Sequence, residues 1–113
     1  MTNKNIHRIS KKELYRVYKI FFKTLVSEQR LKIINLLRKE RKNVSEIIKE
    51  LKMDQTSVSH NLARLKKCGF VDVENMGKFR YYKLNKKTIK PIMETIELHM
   101  KENCVHILRE MKK

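Results

Sequence analysis

The stretch DQTSVSHNLARLKKCGF, residues 54–70, decides the fold because its two sides carry different kinds of side chain. At about 100° per residue, a helix here places Val58, Leu62 and Leu65 on one side. The opposite side and its flanks carry mostly short or polar residues: Gln55, Thr56, Ser59, His60, Ala63, Arg64 and Lys67. Short side chains allow a close approach, so the pattern predicts a helix that meets another surface. The alternative is a polar helix that is merely exposed.

The floor of a DNA major groove is such a surface. Gln can pair there with adenine, Arg prefers guanine, and Ser and Thr are adaptable. Ahead of this helix, Asn43 and Glu46 have the spacing of a capping box, and "KMD" followed by the capping residue Asp54 makes a tight turn. The apolar positions Val44, Ile47, Ile48 and Leu51 give the preceding short helix one clean face. Two short helices in this arrangement predict a helix-turn-helix.

A β-hairpin is predicted to follow, over residues 70–84. Gly69 has the position of a residue just past a helix end. "FVDVE" alternates in polarity, "FRYYKL" favours a strand, and Gly77 lies between them for the turn. This hairpin would be a wing, with Lys78 and Arg80 near its tip suited to phosphates or a minor groove. The same charges can also block pairing at a sheet edge, and the two interpretations are compatible.

Two further helices flank this unit. A helical period starts at Lys11 and predicts a helix over about 11–26, after a flexible basic segment of residues 1–10, and Ser27 caps a second helix. Residues 88–112 predict one long helix with Pro91 in its first turn. Its apolar positions form a seam that resembles a coiled coil: Ile89, Met93, Ile96, Met100, Cys104, Ile107 and Met111. Helices 11–26 and 88–112 therefore predict a homodimer, with residues 11–113 as a single domain.

The composition of the chain favours some classes of function and excludes others. The chain has 113 residues and a net charge of +16, which favours a nucleic-acid partner over a merely Lys-rich solvated surface. No apolar run approaches a membrane span of about 18 residues, and Cys68 and Cys104 form no disulfide framework, so we expect a cytoplasmic protein without a membrane partner. With two Gly there is no phosphate-binding loop, and no catalytic set stands out, so we expect neither an enzyme nor a cofactor.

From about Phe22 to Glu102 the sequence resembles the ArsR/SmtB winged helix-turn-helix repressors. The resemblance rests on the order of "RLKIINLL", "VSEIIKEL", "QTSVSHNL" and "GKFRYYKL". It implies an α+β fold, mainly α, with a long C-terminal dimerisation helix. It also implies that Gln55, Thr56, Ser59 and His60 contact bases in double-stranded DNA that carries an inverted repeat. Arg64, Lys67, Lys78 and Arg80 would then hold phosphates or the minor groove.

Many members of this family sense metals, so their ligand positions matter. One family site uses C-x-C, where this chain has Asn43 and Ser45. Another pairs Asp-x-His with His-x-x-Glu, where this chain has Lys86 and Thr88 but retains His99 and Glu102. We therefore expect no metal site. A degenerate site that includes His106, on the same helix face, is the alternative.

Other relatives sense oxidants through paired cysteines in the second and last helices. Here Cys104 lies in the last helix without a second-helix partner, and on the apolar seam it resembles a small buried hydrophobe. Cys68 is expected to serve packing. The sequence therefore predicts a sequence-specific DNA-binding regulator, most simply a dimeric repressor. The alternatives are a non-specific architectural DNA-coating protein, or a metal- or redox-sensing repressor that uses His99 and Glu102 or Cys104.

Overall fold

A computed structural model describes residues 8–111 of the chain. Within that range six helices and a three-stranded antiparallel sheet follow one another in the order α1 (Lys11–Leu25), α2 (Glu28–Leu37), β1 (Lys42–Asn43), α3 (Val44–Leu51), α4 (Gln55–Lys67), β2 (Val71–Met76), β3 (Phe79–Leu84), α5 (Ile89–Asn103) and α6 (Val105–Met111). This architecture confirms the predicted α+β class, mainly α, with a wing after the helix-turn-helix.

The core lies where α2, α3 and α4 pack against the sheet and the start of α5. Its centre is apolar and completely enclosed: Ile33, Ile34, Ile47, Val58, Leu62, Leu65, Phe70 and Val71 are each at most 1% exposed. The predicted apolar side of residues 54–70 is thus confirmed as a core face. Burying a side chain of this size contributes about 1.5–3 kcal/mol, so the helix-turn-helix is held rigidly from behind.

Side-chain caps set the start of the helices. Ser27, Asn43 and Asp54 each accept a hydrogen bond from the third residue of the helix that follows, as predicted. Ser10 does the same for α1, and Glu13 completes a capping box there. The flexibility expected of residues 1–10 stays a prediction, and residues 1–7 lie outside the described range.

The wing is the hairpin of β2 and β3. Met76 pairs with Phe79 across a two-residue loop, and Gly77 takes the positive φ of 62° that this tight connection needs. Gly69 ends the preceding helix with φ 76°, as predicted. Between α2 and α3 lies a short strand that the sequence pattern does not predict. This strand, β1, pairs with β3 through Lys42 opposite Tyr82, which anchors the base of the wing.

The end of the chain differs from the single helix predicted over residues 88–112. The structure has two helices, α5 and α6, separated at Cys104. Asn103, Cys104 and Val105 are weak helix formers in succession. The Asn103 side chain also donates from Nδ2 to the His99 carbonyl at 3.0 Å, which competes with a regular helix.

The apolar seam along this region is divided as well. Ile89 and Met93 are 4% and 5% exposed and belong to the core of their own protomer, and Ile96 packs against that core. The more distal apolar side chains, Met100, Ile107 and Met111, are exposed. Only that distal part of the predicted seam is available to a partner.

Candidate nucleic-acid interface

Helix α4 presents one exposed polar face. Gln55, Thr56, Ser59, His60, Ala63 and Lys67 are all exposed, and together they are called the reading face below. The opposite side of the helix holds Val58, Leu62 and Leu65 in the core. Five of the side chains that the sequence singles out for DNA contact thus lie together on one rigid helix.

The start of α4 is fixed by Asp54. Its Oδ2 accepts a hydrogen bond from the Ser57 backbone N–H at 3.1 Å. Hydrogen bonds from the side chain and the backbone of Ser57 lower the pKa of the Asp54 carboxyl below its ordinary value. The carboxylate stays ionised at neutral pH and complements the positive end of the helix dipole.

The electrostatics of α4 favour an anionic partner. From Gln55 to Gly69 the sequence contains no Asp or Glu, while Arg64, Lys66 and Lys67 carry positive charge. Lys66 and Lys67 are exposed. A surface of this kind attracts phosphates and other anionic groups.

Arg64 is more constrained than a freely exposed phosphate ligand. It is half-buried, and its Nε donates to the Thr24 hydroxyl of α1 at 3.0 Å. A phosphate contact therefore depends on its remaining N–H groups. This interaction with α1 is not foreseen in the sequence pattern, which places Arg64 only on the flank of the helix.

The wing carries two exposed cations near its tip. Lys78 lies in the two-residue loop, and the Arg80 guanidinium lies 5.7 Å from the centroid of the Tyr82 ring, which steadies it. Within residues 8–111 neither cation forms a salt bridge. At the base of the wing, Glu74 pairs with Arg41 and with Lys83, so its negative charge is compensated.

A second polar strip runs along α4 between the core and the reading face. It consists of Ser57, Asn61, Arg64 and Cys68, and is called the flank strip below. Asn61 is only 8% exposed and exchanges hydrogen bonds with α2. The sequence pattern does not predict this strip. The available signal is an Asn between buried Val58 and Leu65, where a buried polar group needs partners.

The candidate metal and redox side chains lie elsewhere. His99 and Glu102 are exposed on α5, and His106 is exposed on α6. In the part of the chain that the structure describes, no three His, Cys, Asp or Glu side chains lie close enough to hold a metal ion. Cys104 is exposed in the protomer, so the expectation that it behaves as a buried hydrophobe is wrong for a single protomer.

None of the helices in residues 8–111 is both long and apolar enough to span a membrane.

Comparison with known proteins agrees with this geometry. Residues 27–73, which span α2 to β2, match the model of the bacterial regulatory protein, arsR family. The chain belongs to the arsR family. Among its relatives is an HTH-type transcriptional regulator of Methanocaldococcus jannaschii, 33% identical over 75% of this chain and 97% of that protein. Another is the cadmium resistance transcriptional regulatory protein CadC of Listeria innocua, 37% identical over 66% of this chain and 63% of that protein.

Solved structures of two bacterial proteins share the fold. A homodimeric winged helix-turn-helix DNA-binding domain from Mycobacterium bovis superimposes with a TM-score of 0.74 at 25% identity, covering 88% of this chain and 94% of that one. Reduced HlyU from Vibrio cholerae gives a TM-score of 0.65 at 25% identity, covering 82% and 95%. This arsR-family protein is a DNA-binding transcriptional regulator.

Proposed function

We propose that the protein is a homodimeric, sequence-specific repressor that occupies an inverted repeat in a promoter. The observation that carries this proposal is the two-sided character of α4: a fully buried apolar side and an exposed, acid-free reading face. A site with these properties recognises double-stranded DNA. A regulator that acts on DNA in this way works in the cytoplasm.

The reading face would enter the major groove at the N-terminal end of α4. Gln55, Thr56, Ser59 and His60 occupy the first two turns and would contact base edges. Lys67 and the free N–H groups of Arg64 would hold phosphates. Lys78 and Arg80 on the wing would reach the flanking phosphates or minor groove. Base contacts would supply the sequence preference and the cations most of the affinity.

Exposed apolar side chains support the proposed dimer. On α1 the rings of Tyr18 and Phe22 stack at 6.3 Å between centroids and remain about half exposed. On α5 and α6, Leu98, Met100, Ile107, Leu108 and Met111 are exposed as well. Such an area is costly in water and is typical of a protein interface. The likeness to a homodimeric domain from Mycobacterium bovis also supports it.

A two-fold dimer fixes the form of the operator. Two recognition helices related by a two-fold axis read half-sites about 10 bp apart, or a multiple of that spacing. An effector, where one exists, would act by favouring one angle between the two reading faces. We propose that neither zinc nor cadmium is that effector, because Asn43, Ser45, Lys86 and Thr88 replace ligands in the family sites.

A second candidate is an architectural protein that coats DNA without a preferred sequence. The net charge of +16 per protomer favours this candidate. Selection from a pool of random duplexes separates the two functions. The proposed repressor enriches an inverted repeat with a defined half-site spacing, whereas a coating protein enriches no sequence.

A further inference from the structure

The guanidinium of Arg30 joins three parts of the protomer. From α2, its Nε donates to the Thr24 carbonyl at 2.7 Å and its Nη2 to the Lys23 carbonyl at 3.0 Å. These carbonyls belong to the last turn of α1, where backbone acceptors lack partners within the helix. Its Nη1 donates to Asn61 Oδ1 of α4 at 3.1 Å. A single planar group thus connects the end of α1 to α4.

Asn61 completes the connection from the other side. Its Nδ2 donates to Gln29 Oε1 at 3.0 Å and to the Ser57 carbonyl at 2.8 Å. The side-chain amide therefore uses its acceptor toward Arg30 and its donors toward Gln29 and its own helix. Because leaving a buried amide without hydrogen-bond partners costs free energy, these bonds constrain the orientation of the Asn61 side chain.

Thr24 supplies the second link between α1 and α4. The residue is fully buried, and its hydroxyl donates to the Ile20 carbonyl at 2.8 Å. The same hydroxyl accepts from Arg64 Nε at 3.0 Å and lies 3.4 Å from Cys68 Sγ. Three members of the flank strip, Asn61, Arg64 and Cys68, are thus held from outside α4.

This network can fix the pose of the reading face. The core residues of α4 make apolar contacts, which resist separation but tolerate small rotations better than hydrogen bonds do. Hydrogen bonds to base edges weaken steeply when their geometry is wrong. Arg30 itself uses Nε, Nη1 and Nη2 within the protomer. It is therefore poorly placed to serve as one more phosphate ligand.

We propose that Arg30 and Asn61 are positioning residues for DNA recognition, which hold the rotation of α4 relative to α1. This assignment rests on the proposed function. Because α1 also carries part of the proposed dimer surface, the same contacts relate each reading face to the two-fold axis. Loss of the network should reduce the preference for the operator without removing a phosphate contact.

Two variants test the assignment. Arg30→Lys keeps the positive charge but loses the planar group that reaches three acceptors. The double variant Arg30→Met with Asn61→Leu removes both partners of the link to α4, so no unpaired amide is left in α4, but the Lys23 and Thr24 carbonyls also lose their donor. Arg38→Met is the matched control, since Arg38 closes α2 and pairs with Glu97 of α5 rather than with α4.

Each protein is melted by circular dichroism, and its affinity for the selected operator and for random duplex is measured across a salt series. We expect both variants to stay folded and to lose at least about tenfold in operator affinity, comparable to a lost base contact. For Arg30→Lys, affinity for random duplex and the salt slope should stay as in wild type. Arg38→Met should keep the wild-type operator preference.

Three results overturn the assignment alone. Folded variants that keep the full operator preference show that the network has no positioning role. Equal weakening on both DNAs, with a salt slope smaller by about one for the double variant, shows that Arg30 holds a phosphate. Unfolding of both variants shows that the residues maintain the fold rather than the pose. A wild-type protein that selects no sequence overturns the proposed function together with this assignment.

Discussion

The carboxylate of Asp54 accepts a hydrogen bond from the backbone N–H of Ser57 at 3.1 Å, immediately ahead of Gln55, the first residue of the reading face. The cap therefore fixes where the recognition helix begins. It also satisfies a backbone donor that the helix leaves without a partner. The cap therefore supports both stability and the proposed DNA contacts, because a frayed first turn would displace Gln55 and Thr56.

Removal of this cap should lower stability in a pH-dependent way. Asp54→Ala loses the acceptor, so its melting temperature should fall below that of wild type at neutral pH. The pKa of Asp54 is lowered in the folded state, so its contribution is complete above the unfolded value of about 3.9 and is lost as pH falls through the folded value. The difference between wild type and Asp54→Ala should therefore shrink in acid.

Asp54→Asn is the matched control, because Asn caps helices about as well but does not titrate. It should melt close to wild type at neutral pH. Calorimetry from about pH 7 to pH 2.5 covers the range in which the carboxyl gains its proton. Identical melting profiles for wild type and Asp54→Ala would show that the cap does not contribute.

Gln55 should carry sequence discrimination. Gln55→Ala should cost about 1–3 kcal/mol at one favoured base pair and little at other sequences. The reason is that an amide makes two directional hydrogen bonds to a base edge, and a methyl group makes none. Binding to the operator and to single-base variants of it measures the effect. Equal weakening on operator and random duplex would mean that Gln55 does not read bases.

Lys78 should contribute affinity without sequence preference. Its position in the loop of the wing suits a phosphate, so Lys78→Ala should weaken operator and random duplex alike. The salt slope should also become smaller by about one, because one fewer counterion is released. Lys101→Ala, an exposed lysine on α5, is the control and should leave the slope unchanged. A loss confined to the operator would instead make Lys78 a base-reading residue.

Phe22 should be essential for dimerisation. Its ring is 53% exposed and stacks with Tyr18, so Phe22→Glu places a charge in the proposed interface. Sedimentation at micromolar concentration should show a dimer for wild type and a monomer for Phe22→Glu. Arg16→Glu, an exposed change elsewhere on α1, should remain a dimer. A wild-type protein that sediments as a monomer would contradict the proposal.

A substitution at Ile96 does not test the dimer interface, although Ile96 belongs to the predicted apolar seam. The side chain packs against the core of its own protomer, so Ile96→Glu should destabilise folding before it affects assembly.

Operator affinity should not respond to zinc, cadmium or a mild oxidant. His99 and Glu102 are the only ligand pair left from the family sites, and a Zn²⁺ site normally needs four donors. The measurement is operator affinity during titration with each metal and, separately, with a disulfide-forming oxidant. A tenfold loss near stoichiometric metal that His99→Ala abolishes would identify a metal sensor. A tenfold loss under oxidant that Cys104→Ser abolishes would identify a redox sensor.

The sequence predicts the helix-turn-helix well because its signals are local. Caps at Ser27, Asn43 and Asp54 and the positive φ of Gly69 depend on neighbouring residues, and all four agree with the structure. The grouping of the reading-face side chains follows from the helical period alone.

Features that depend on tertiary contacts are harder to predict. The short strand at Lys42 exists only because β3 lies beside it. The apolar side chains from Ile89 to Met111 recur with a single helical period, although some of them pack in the core of the protomer and others are exposed. The pattern therefore does not distinguish the buried Met93 from the exposed Met100. Arg30 looks like an ordinary surface cation until the fold brings the end of α1 and Asn61 within its reach.

Competition by random DNA tests the central claim most directly. The dimer is bound to the inverted repeat enriched by selection, at physiological salt, and random duplex is added until the complex dissociates. A sequence-specific regulator should require about 10³-fold or greater excess of random sites. Release by an equal concentration of random sites would contradict the account and assign the protein to non-specific coating of DNA.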